Sequence, residues 1–317
     1  MSRTNPWDAE WQVTEDLAQA LIYSQFPALS LKQVRRLGDG WDNIVYVVGE
    51  EYVFRFPRRK IAVELIELEG RLLPKLGPFL TLPYAKPLFY GEGSAAYPLP
   101  FLGYTYIAGN FPLGLPEEQR AASALVLARF LKNLHAFPVQ VAKENGAPTD
   151  QRGLLDIRGR KEKMQQFLAD TDIPFAEADR ALIADYLQGL GVEQIQPKEV
   201  LMHGDLHFKN MLVAPDGKIA GIIDWGDMNI GHPGCDLSIA YSFLPPQARD
   251  GFFRAYGEVD EETKLLARLI AVYIPMLIYM QAKDTGDDRV AAEASAVIRR
   301  AWQIKFVAGR RASCLQA

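Results

Sequence analysis

Three oxygen-bearing side chains lie close together in the sequence between residues 201 and 224. Asp205 and Asn210 fall in the segment His-Gly-Asp-Leu-His-Phe-Lys-Asn at 203–210, and Asp224 follows a short apolar run. Carboxylate and amide oxygens are ligands that suit Mg²⁺, and a carboxylate can accept the proton of a hydroxyl that attacks a phosphoryl group. The types and spacing of these residues therefore suit phosphoryl transfer.

Two other interpretations of this segment compete with phosphoryl transfer. His203 and His207 flank Asp205, as they would in a hydrolytic zinc site, but such a site needs further ligands and the chain has only four histidines. Alternatively, the aspartates are purely structural and are satisfied by backbone amides. The presence of all three oxygen-bearing side chains at this spacing favours phosphoryl transfer over both.

Short strands and tight turns are predicted around this segment. A strand at 199–202 leads into it, a second strand covers 211–213, and a turn at 215–218 leads to a return strand at 219–223 that ends beside Asp224. Carboxylate, amide and carboxylate in this order around a hairpin are also the order of the protein-kinase catalytic loop and its Asp-Phe-Gly. In this sequence Asp-Trp-Gly, which begins at Asp224, stands at the position of Asp-Phe-Gly.

The first hundred residues predict an antiparallel sheet. A helical period over 15–26 gives way to strands at 31–34, 41–48 and 52–56, with glycine-containing turns between them. The turn at Gly38, Asp39 and Gly40 is either bare permissive backbone or a loop whose amides approach phosphate oxygens. A short glycine motif of this kind is weak evidence on its own.

Arg55 lies in the third of these strands, in an apolar run, so it needs an anionic partner. The next predicted helix, at 61–76, places Glu69 near its buried stripe. That stripe consists of Ile61, Leu65, Leu68, Leu72, Leu73 and Leu76. Arg55 and Glu69 form either a structural ion pair or a pair in which the carboxylate holds a phosphate-binding cation in place.

A lobe boundary is predicted where a strand at 101–107 stops at Ala108-Gly109-Asn110. The N-terminal lobe then comprises residues 1–108, and the C-terminal lobe comprises residues 109–317. The C-terminal lobe is expected to be mainly helical, with a loop at 139–153 and with His135 interacting with the C-terminal end of its helix. Its expected helices cover 117–135, 158–170, 176–190, 246–256, 261–280 and 289–306.

The sequence resembles the aminoglycoside phosphotransferase family in the segments HGDLHFKN, IIDWGD and GHPGCDL. This family comprises antibiotic and small-molecule kinases with a bilobal, protein-kinase-like fold, and the resemblance runs from about Leu31 to the last helices. It implies an α+β fold with a small sheet-containing N-lobe and a larger helical C-lobe. It also implies Asp205 as catalytic base and Asn210 and Asp224 as Mg²⁺ ligands, with ATP or GTP as co-substrate.

The same resemblance implies roles in the N-terminal lobe. Arg55 becomes the counterpart of a phosphate-contacting strand lysine and Glu69 its helix partner, while residues 38–43 become the nucleotide loop. The hinge at 104–109 is expected to read the base through its backbone near Tyr106 and Ile107. Many relatives carry lysine where this chain has Arg55, which keeps the charge but is bulkier.

Two further residues stand out in the segments of the resemblance. Asp236 is implied to support the catalytic loop through hydrogen bonds. His207 occupies a position that varies among relatives, and it has no assigned role.

Composition and cysteine content limit the expected binding partners and cellular location of the protein. A net charge of -4 argues against a broad nucleic-acid surface, and the start of the chain lacks the apolar run of a secretory signal. The apolar segment at 265–280 contains Arg268 and Pro275 and predicts a buried helix rather than a membrane span. Cys235 and Cys314 predict neither a disulfide framework nor a zinc site, so a reducing cytoplasm is the expected location.

The expected reaction is transfer of the γ-phosphoryl group of ATP or GTP to a hydroxyl of a small molecule, with an antibiotic favoured. A polycationic aminoglycoside would need several carboxylates, and an apolar macrolide would need aromatic and aliphatic walls. The candidate acids are Asp227, Glu258, Asp260, Asp284, Asp287 and Asp288; the candidate apolar residues are Tyr241, Phe243, Tyr273, Met276, Tyr279 and Met280. Alternatives are a kinase of an amino alcohol or a sugar, and a nucleotide-binding pseudokinase module.

Overall fold

The structure is a computed structural model, and it describes residues 10–303 apart from 41, 151–152, 154, 171–172 and 192–194. Its first part contains a five-stranded antiparallel sheet with the strand order β1-β2-β3-β5-β4. The strands are β1 (Val34–Asp39), β2 (Asn43–Val48), β3 (Tyr52–Pro57), β4 (Pro87–Gly91) and β5 (Phe101–Thr105).

The two faces of this sheet have different partners because side chains alternate along each strand. Phe54 and Phe56 of β3 belong to an apolar cluster that also contains residues of helix α1 (Glu15–Gln25). Arg55, between them, projects to the opposite face. Leu102, its partner in β5, packs there against helix α2 (Ile61–Leu76). The alternation therefore turns Arg55 towards α2.

The second part of the chain is mainly helical. Its main apolar core gathers residues from most of these helices and also takes up the C-terminal half of α2. The helices are α3 (Glu117–Ala122), α4 (Ala124–His135), α5 (Val139–Glu144), α6 (Ile157–Ala169), α7 (Glu177–Gly189), α8 (Gly234–Leu237), α9 (Ile239–Ser242), α10 (Pro246–Tyr256), α11 (Glu261–Thr285) and α12 (Asp288–Trp302). The expected α+β class is confirmed.

Two pairs of short antiparallel strands lie between the helices. Strand β6 (Val200–Met202) pairs with β9 (Asn229–Gly231), and β7 (Met211–Val213) pairs with β8 (Ile219–Ile222) in a hairpin. The amide of Ile222 donates to the carbonyl of Pro83 at 2.9 Å, and Asn110 exchanges backbone hydrogen bonds with Val213 at 2.9 and 3.0 Å. The β7–β8 hairpin is thus held by the segments on both sides of β4 and β5.

Helix α11 is the one described helix that is long and apolar enough to cross a membrane by length and composition, but 67% of its most apolar window is buried inside the protein. Its buried residues include Leu266, Leu269 and Met276. The prediction of a buried core helix at this position is confirmed, although the helix extends to Thr285.

Four local predictions were wrong. The strand expected at 31–34 begins only at Val34, and it runs through Gly38 and Asp39, which were expected to form a turn. The helix expected at 117–135 is broken at Ser123, whose hydroxyl donates to the carbonyl of Gln119 at 3.3 Å and so competes with the helical backbone pattern. Residues expected to be loop contain α5 (Val139–Glu144), which begins after Pro138 and ends before Asn145. Ile61 is 60% exposed, because it is the first residue of α2 and lies beyond the packed turns.

Candidate functional site

The loop between β6 and β7 closes on itself through Asn210. The Asn210 side-chain amide donates to the backbone carbonyl of Asp205 at 2.8 Å and to Asp205 Oδ2 at 3.2 Å. Asn210 is buried, whereas the Asp205 carboxylate keeps about a fifth of its surface exposed. The loop therefore presents one carboxylate to solvent from a fixed backbone.

His207 provides a second contact to the same carboxylate oxygen. Its Nδ1 accepts a hydrogen bond from the backbone amide of Lys209 at 3.2 Å, so the neutral ring carries its proton on Nε2. Nε2 lies 3.3 Å from Asp205 Oδ2 and donates to it. Asn210 and His207 together fix the orientation of the Asp205 carboxylate.

Asp224 lies next to Asn210 because of the hairpin. The amide of Ile223, the residue before it, donates to the Asn210 carbonyl at 3.0 Å. Asp224 itself has φ of +62°, a left-handed conformation that is uncommon outside glycine and that clusters at functional sites. The chain thus turns sharply after β8 and brings a second oxygen-bearing side chain beside Asn210.

His203 ties these two parts of the site together. Its ring is completely buried, its Nδ1 accepts from the Asp205 amide at 3.3 Å, and its Nε2 donates to the Ile223 carbonyl at 3.1 Å. The ring therefore bridges the residue before Asp224 and the backbone of Asp205.

Arg55 connects the five-stranded sheet to this loop. Its Nη1 lies 2.7 Å from Glu69 Oε1, and its Nη2 lies 2.7 Å from Asp224 Oδ1. Burial opposes its charge, but the carboxylates of Glu69 and Asp224 outweigh burial and hold the pKa of Arg55 well above its ordinary value. The guanidinium fork joins α2 to the loop after β8.

Glu69 depends on this arginine for its charge. It is 1% exposed, and burial raises the pKa of its carboxyl to about 7, against the influence of Arg55. A Cβ at Gly226 would lie 3.2 Å from Glu69 Oε1, so the absence of a side chain after Trp225 lets α2 approach the loop closely. Glu69 is therefore a buried anchor for Arg55.

Asp236 holds the loop between β6 and β7 through hydrogen bonds, as the family resemblance implied. Its carboxylate accepts from the amides of His203 at 2.8 Å and Gly204 at 3.1 Å. Burial alone would raise the pKa of Asp236, but hydrogen bonds and charge from His135 and His203 lower it below its ordinary value. A buried ionised carboxylate with this many donors holds the loop rigidly.

The prediction for His135 was wrong. It was expected to interact with the C-terminal end of its helix, but its side chain reaches across to Asp236, with Nε2 3.2 Å from Oδ2. Its Nδ1 lies 2.8 Å from the Tyr256 hydroxyl. The buried carboxylate attracts the imidazole more strongly than the helix end does.

Gly204 is required by its position in this loop. Its φ is +83°, and a Cβ there would lie 2.1 Å from the carbonyl oxygen of Asp227. Any larger residue would displace the backbone that carries Asp205.

The residues expected to hold a nucleotide lie at two places on the five-stranded sheet. Gly38 and Asp39 end β1, and the amide of Gly40 donates to the Asn43 carbonyl at 2.8 Å; the side chain of Asp39 lies outside the described residues. Tyr106 follows β5, and its amide donates to the Glu51 carbonyl at 2.8 Å. Since the Tyr106 amide already has this partner, a bound base would have to be read by other backbone groups of the hinge, such as those of Ile107.

The arrangement around Asn210 and Asp224 fits a magnesium ion. The Asn210 amide nitrogen faces Asp205, which turns its amide oxygen to the other side, and Asp224 supplies a carboxylate that is half exposed. Among the described residues, no cluster of three or more His, Cys, Asp or Glu has metal-binding geometry. Magnesium is commonly bound by one or two protein oxygens plus substrate phosphates, so two ligands suffice for it but not for zinc.

The chain matches the model of the phosphotransferase enzyme family over residues 33–268, which is more than half of its length. This span contains Arg55, Glu69, Asp205, Asn210 and Asp224. The chain belongs to this family. The resemblance drawn from the sequence is thereby confirmed.

One curated relative in sequence is an aminoglycoside 3'-phosphotransferase from Streptomyces ribosidificus. It is 30% identical over 170 residues, which cover 49% of this phosphotransferase-family chain and 61% of the relative. The match thus spans about three fifths of the relative's length.

Solved structures with the same fold include two kinds of phosphotransferase. The GDP complex of aminoglycoside 2'-phosphotransferase-IIIa has a TM-score of 0.67 at 23% identity, covering 91% of this chain and 98% of that one. Macrolide 2'-phosphotransferase MphH from Brachybacterium faecium has a TM-score of 0.54 at 22% identity, covering 84% and 92%. At these identities the likeness establishes the fold, and the expected kinase-like architecture is confirmed.

Two functional contacts in this family member could not be read from the sequence. His207 had no assigned role, and the partnership of His135 with Asp236 joins residues 101 positions apart. The only local signal was the spacing of Asp205, His207 and Asn210 within one loop, which places their side chains within reach of one another.

Proposed function

We propose that this protein is a kinase that transfers the γ-phosphoryl group of ATP or GTP to a hydroxyl of a small molecule, with an antibiotic as the favoured acceptor. The observation that carries the proposal is the contact of Arg55 with Asp224, 2.7 Å apart. It joins a cation on the five-stranded sheet to the loop that holds Asn210 and Asp205. A nucleotide phosphate clamp and a hydroxyl-activating carboxylate thus belong to one cleft.

In this proposal Asp205 is the catalytic base. Its carboxylate orients the acceptor hydroxyl and takes its proton as the oxygen attacks phosphorus, a role that requires a fixed and accessible carboxylate. Asn210 and His207 supply the fixation by donating to Oδ2. Its partial exposure leaves the carboxylate accessible from the cleft.

Asn210 and Asp224 would hold Mg²⁺, and Gly38, Asp39 and Gly40 would cover the phosphates. The ion supplies charge neutralisation on the transferring phosphoryl group when bound. Arg55, held by Glu69, would reach the phosphates as a second cation, and the hinge at Tyr106 and Ile107 would meet the base. Related structures bind GDP and ATP, which supports a guanine or adenine nucleotide as co-substrate.

Residues 1–108 and 109–317 are proposed as the two lobes of the kinase, with the cleft between them. The cytoplasm is the proposed location, since both nucleoside triphosphate and magnesium are available there. Neither a nucleic acid nor a membrane is proposed as a partner.

A nucleotide-consumption screen tests the proposal. The purified chain is incubated with ATP or GTP and Mg²⁺ against aminoglycosides, macrolides, amino alcohols and sugars. Acceptor-dependent consumption with a phosphorylated product is the expected result. Tight nucleotide binding without consumption on any acceptor would instead favour a pseudokinase module.

Arg55→Ala is expected to raise the KM for nucleotide by about 10- to 100-fold, the loss of one to two charge-assisted hydrogen bonds to phosphate. The fold should survive, because Glu69 without its partner takes up a proton instead of remaining a buried charge. Steady-state kinetics with varied nucleotide measure the change. The matched control is Arg35→Ala, an exposed arginine of β1 paired with Glu50, which should leave KM unchanged. An unaltered KM in Arg55→Ala would remove Arg55 from the nucleotide site.

His207→Ala is expected to lower kcat about 10-fold, the effect of losing one hydrogen bond that orients the base. The KM for nucleotide should not change, because the imidazole contacts Asp205 and not the residues proposed for the phosphates. His207→Gln, whose amide can donate in place of Nε2–H, should recover part of the rate. A fall in thermal stability with unchanged kcat would show that His207 has only a structural role.

A further inference from the structure

Lys209 is the only lysine or arginine in the loop at 203–210 between β6 and β7. Its backbone amide donates to His207 Nδ1 at 3.2 Å, and Asn210 follows it in the chain. His207 Nε2 and the Asn210 amide nitrogen lie 3.3 and 3.2 Å from the same oxygen, Oδ2 of Asp205. The side chain of Lys209 therefore leaves the backbone between two residues that both contact the carboxylate of the proposed base.

The register of the β7–β8 hairpin also places Lys209 next to Asp224. Met211 is paired with Ile222, and just before this pair the Ile223 amide donates to the Asn210 carbonyl at 3.0 Å. One further step of this antiparallel register sets Lys209 opposite Asp224. Lys209 thus lies beside both the proposed base and a proposed metal ligand.

The ammonium of Lys209 is partly desolvated but has no partner. Its side chain is partly buried, although a lysine in a loop normally extends its charge into water. Burial lowers the pKa of Lys209 below its ordinary value, against the charges of Asp287, Asp205 and Asp224, which raise it. Within the part of the chain that the structure describes, no carboxylate oxygen lies within 4.0 Å of its Nζ. Three carboxylates therefore act on a cation that is ion-paired with none of them.

A purely structural role for Lys209 would be a link between the loop and α12. The ring of Phe208, the preceding residue, already makes this connection, because it packs in one apolar cluster with Val290 and Ala291 of α12. Asp287, the acidic residue closest to that end of α12, caps the helix by accepting from the Val290 amide at 3.0 Å. The loop is thus attached to α12 without an ion pair from Lys209.

Phosphoryl transfer requires a cation at the position that Lys209 occupies. The acceptor oxygen forms a bond to the γ-phosphorus, the bond from phosphorus to the bridging oxygen breaks, the nucleoside diphosphate leaves, and the hydroxyl proton passes to Asp205. Negative charge is spread over the three equatorial oxygens of the group in transit, and a preorganised cation stabilises it. On the proposed function, that group passes between Asp205 and Asp224.

We propose that Lys209 is a further catalytic residue, whose ammonium donates a hydrogen bond to an equatorial oxygen of the γ-phosphoryl group as it is transferred. This inference rests on the proposed function for the direction of transfer. Arg55 is held by Glu69 and Asp224 at 2.7 Å each, on the side of the five-stranded sheet. Lys209 supplies a second positive charge from the side of the acceptor.

Lys209→Met tests the inference with the full chain, Mg²⁺ and an acceptor that the wild type phosphorylates. We expect kcat to fall about 10- to 100-fold, the loss of one charge-assisted hydrogen bond. The KM for nucleotide should change less than about 3-fold, because the interaction strengthens only in the transition state. Lys209→Arg keeps the charge and should recover part of the rate. The matched control is Lys161→Met, a partly buried lysine of α6 whose Nζ donates to the Leu190 carbonyl at 3.1 Å, which should leave kcat unchanged.

Two further measurements do not depend on turnover. Aluminium fluoride bound with a nucleoside diphosphate and Mg²⁺ mimics the planar phosphoryl group, and calorimetry compares diphosphate binding with and without it. Lys209→Met should weaken the complex with aluminium fluoride about 10- to 100-fold and leave the affinity for the diphosphate alone unchanged. The melting temperature should stay the same or rise, because methionine removes a charge whose burial is unfavourable.

The outcomes separate this inference from the kinase proposal. Wild-type turnover that Lys209→Met does not reduce, or a lower melting temperature with unchanged kcat, would overturn the inference while the kinase proposal stands. Equal binding of aluminium fluoride by the wild type and Lys209→Met would also overturn it. Absence of turnover by the wild type with every acceptor, together with aluminium fluoride binding that Lys209→Met weakens, would contradict the kinase proposal and support the inference.

Discussion

Asp205→Ala is expected to lower kcat by about 1,000-fold, within the range that general-base catalysis contributes, with nucleotide affinity unchanged. In the proposed mechanism the carboxylate orients and deprotonates the acceptor, and alanine can do neither. The backbone of the loop should stay in place because Asp236 holds the amides of His203 and Gly204, and neither bond involves the Asp205 side chain. Product formation and nucleotide binding are measured on the same preparation.

The control for this variant is Asp216→Ala. Asp216 lies in the turn between β7 and β8, half exposed, where it pairs with Lys218, so its removal should leave kcat unchanged. Turnover retained in Asp205→Ala would contradict the proposed mechanism. Loss of nucleotide binding together with turnover would instead show that the variant disturbs the whole cleft.

The Asp205, Asn210 and Asp224 group was predictable from the sequence because its geometry is local. Asp205 and Asn210 lie five residues apart in one loop, and the short strand β8 leads back to Asp224. Both distances are set by local backbone turns, and the β7–β8 hairpin forms as predicted. The pairing of Arg55 with Glu69 was similarly within reach, since a strand and the helix that follows it must pack together. For elements that are close in sequence, the hydrophobic periodicity of each indicates which faces pack against each other.

Contacts between distant elements were not predictable in this way. Arg55 and Asp224 are 169 positions apart, and their contact depends on how the five-stranded sheet is placed against the β7–β8 hairpin. The surroundings of Asp205 have the same origin, because Phe208, Ile270 and Val297, which line a small cavity beside it, come from three separate elements. Periodicity indicates that a residue of α11 is buried, but it does not distinguish a core position from a cavity wall.

The structure gives a physical interpretation of Arg55, which stands where the family resemblance leads one to expect a lysine. A guanidinium presents two donors in a rigid fork, and here the fork binds Glu69 and Asp224 at once. A lysine ammonium has three donors on one flexible stem, so it could contact both carboxylates but without the fixed geometry of the fork. Arg55 therefore links α2 to the proposed metal ligand directly, and nucleotide phosphates would compete with Asp224 for its second nitrogen.

A second buried ion pair, away from the proposed cleft chemistry, joins the segment after β5 to α12. Arg120 Nη2 lies 2.8 Å from Glu293 Oε1, and Arg300 Nη1 lies 3.6 Å from the same oxygen. Glu293 Oε2 accepts from the Gly114 amide at 2.8 Å. Burial and the charge of Arg300 lower the pKa of Arg120 to about 10, so its charge depends on Glu293.

Glu293→Ala is expected to lower the free energy of unfolding by about 3–5 kcal/mol, the usual cost of removing one partner from a buried ion pair. Arg120 is fully buried and Arg300 nearly so, and without Glu293 the two guanidinium groups repel each other with only Glu117 left as a counter-charge. Chemical denaturation followed by circular dichroism measures the loss. Glu162→Ala, which breaks an exposed pair with Arg158 on α6, should change stability by less than about 0.5 kcal/mol.

The same variant tests whether α12 is coupled to the surroundings of Asp205. Glu293 and Val297 are four residues apart on α12, and Val297 lines a small cavity beside Asp205, so weakening the anchor at Glu293 should loosen that wall. Acceptor turnover should then fall, whereas nucleotide affinity should persist because none of the residues proposed to bind it lies on α12. A loss of stability below about 1 kcal/mol would mean that water or relaxation compensates Arg120 and Arg300, and would contradict the ion pair as the anchor of this helix.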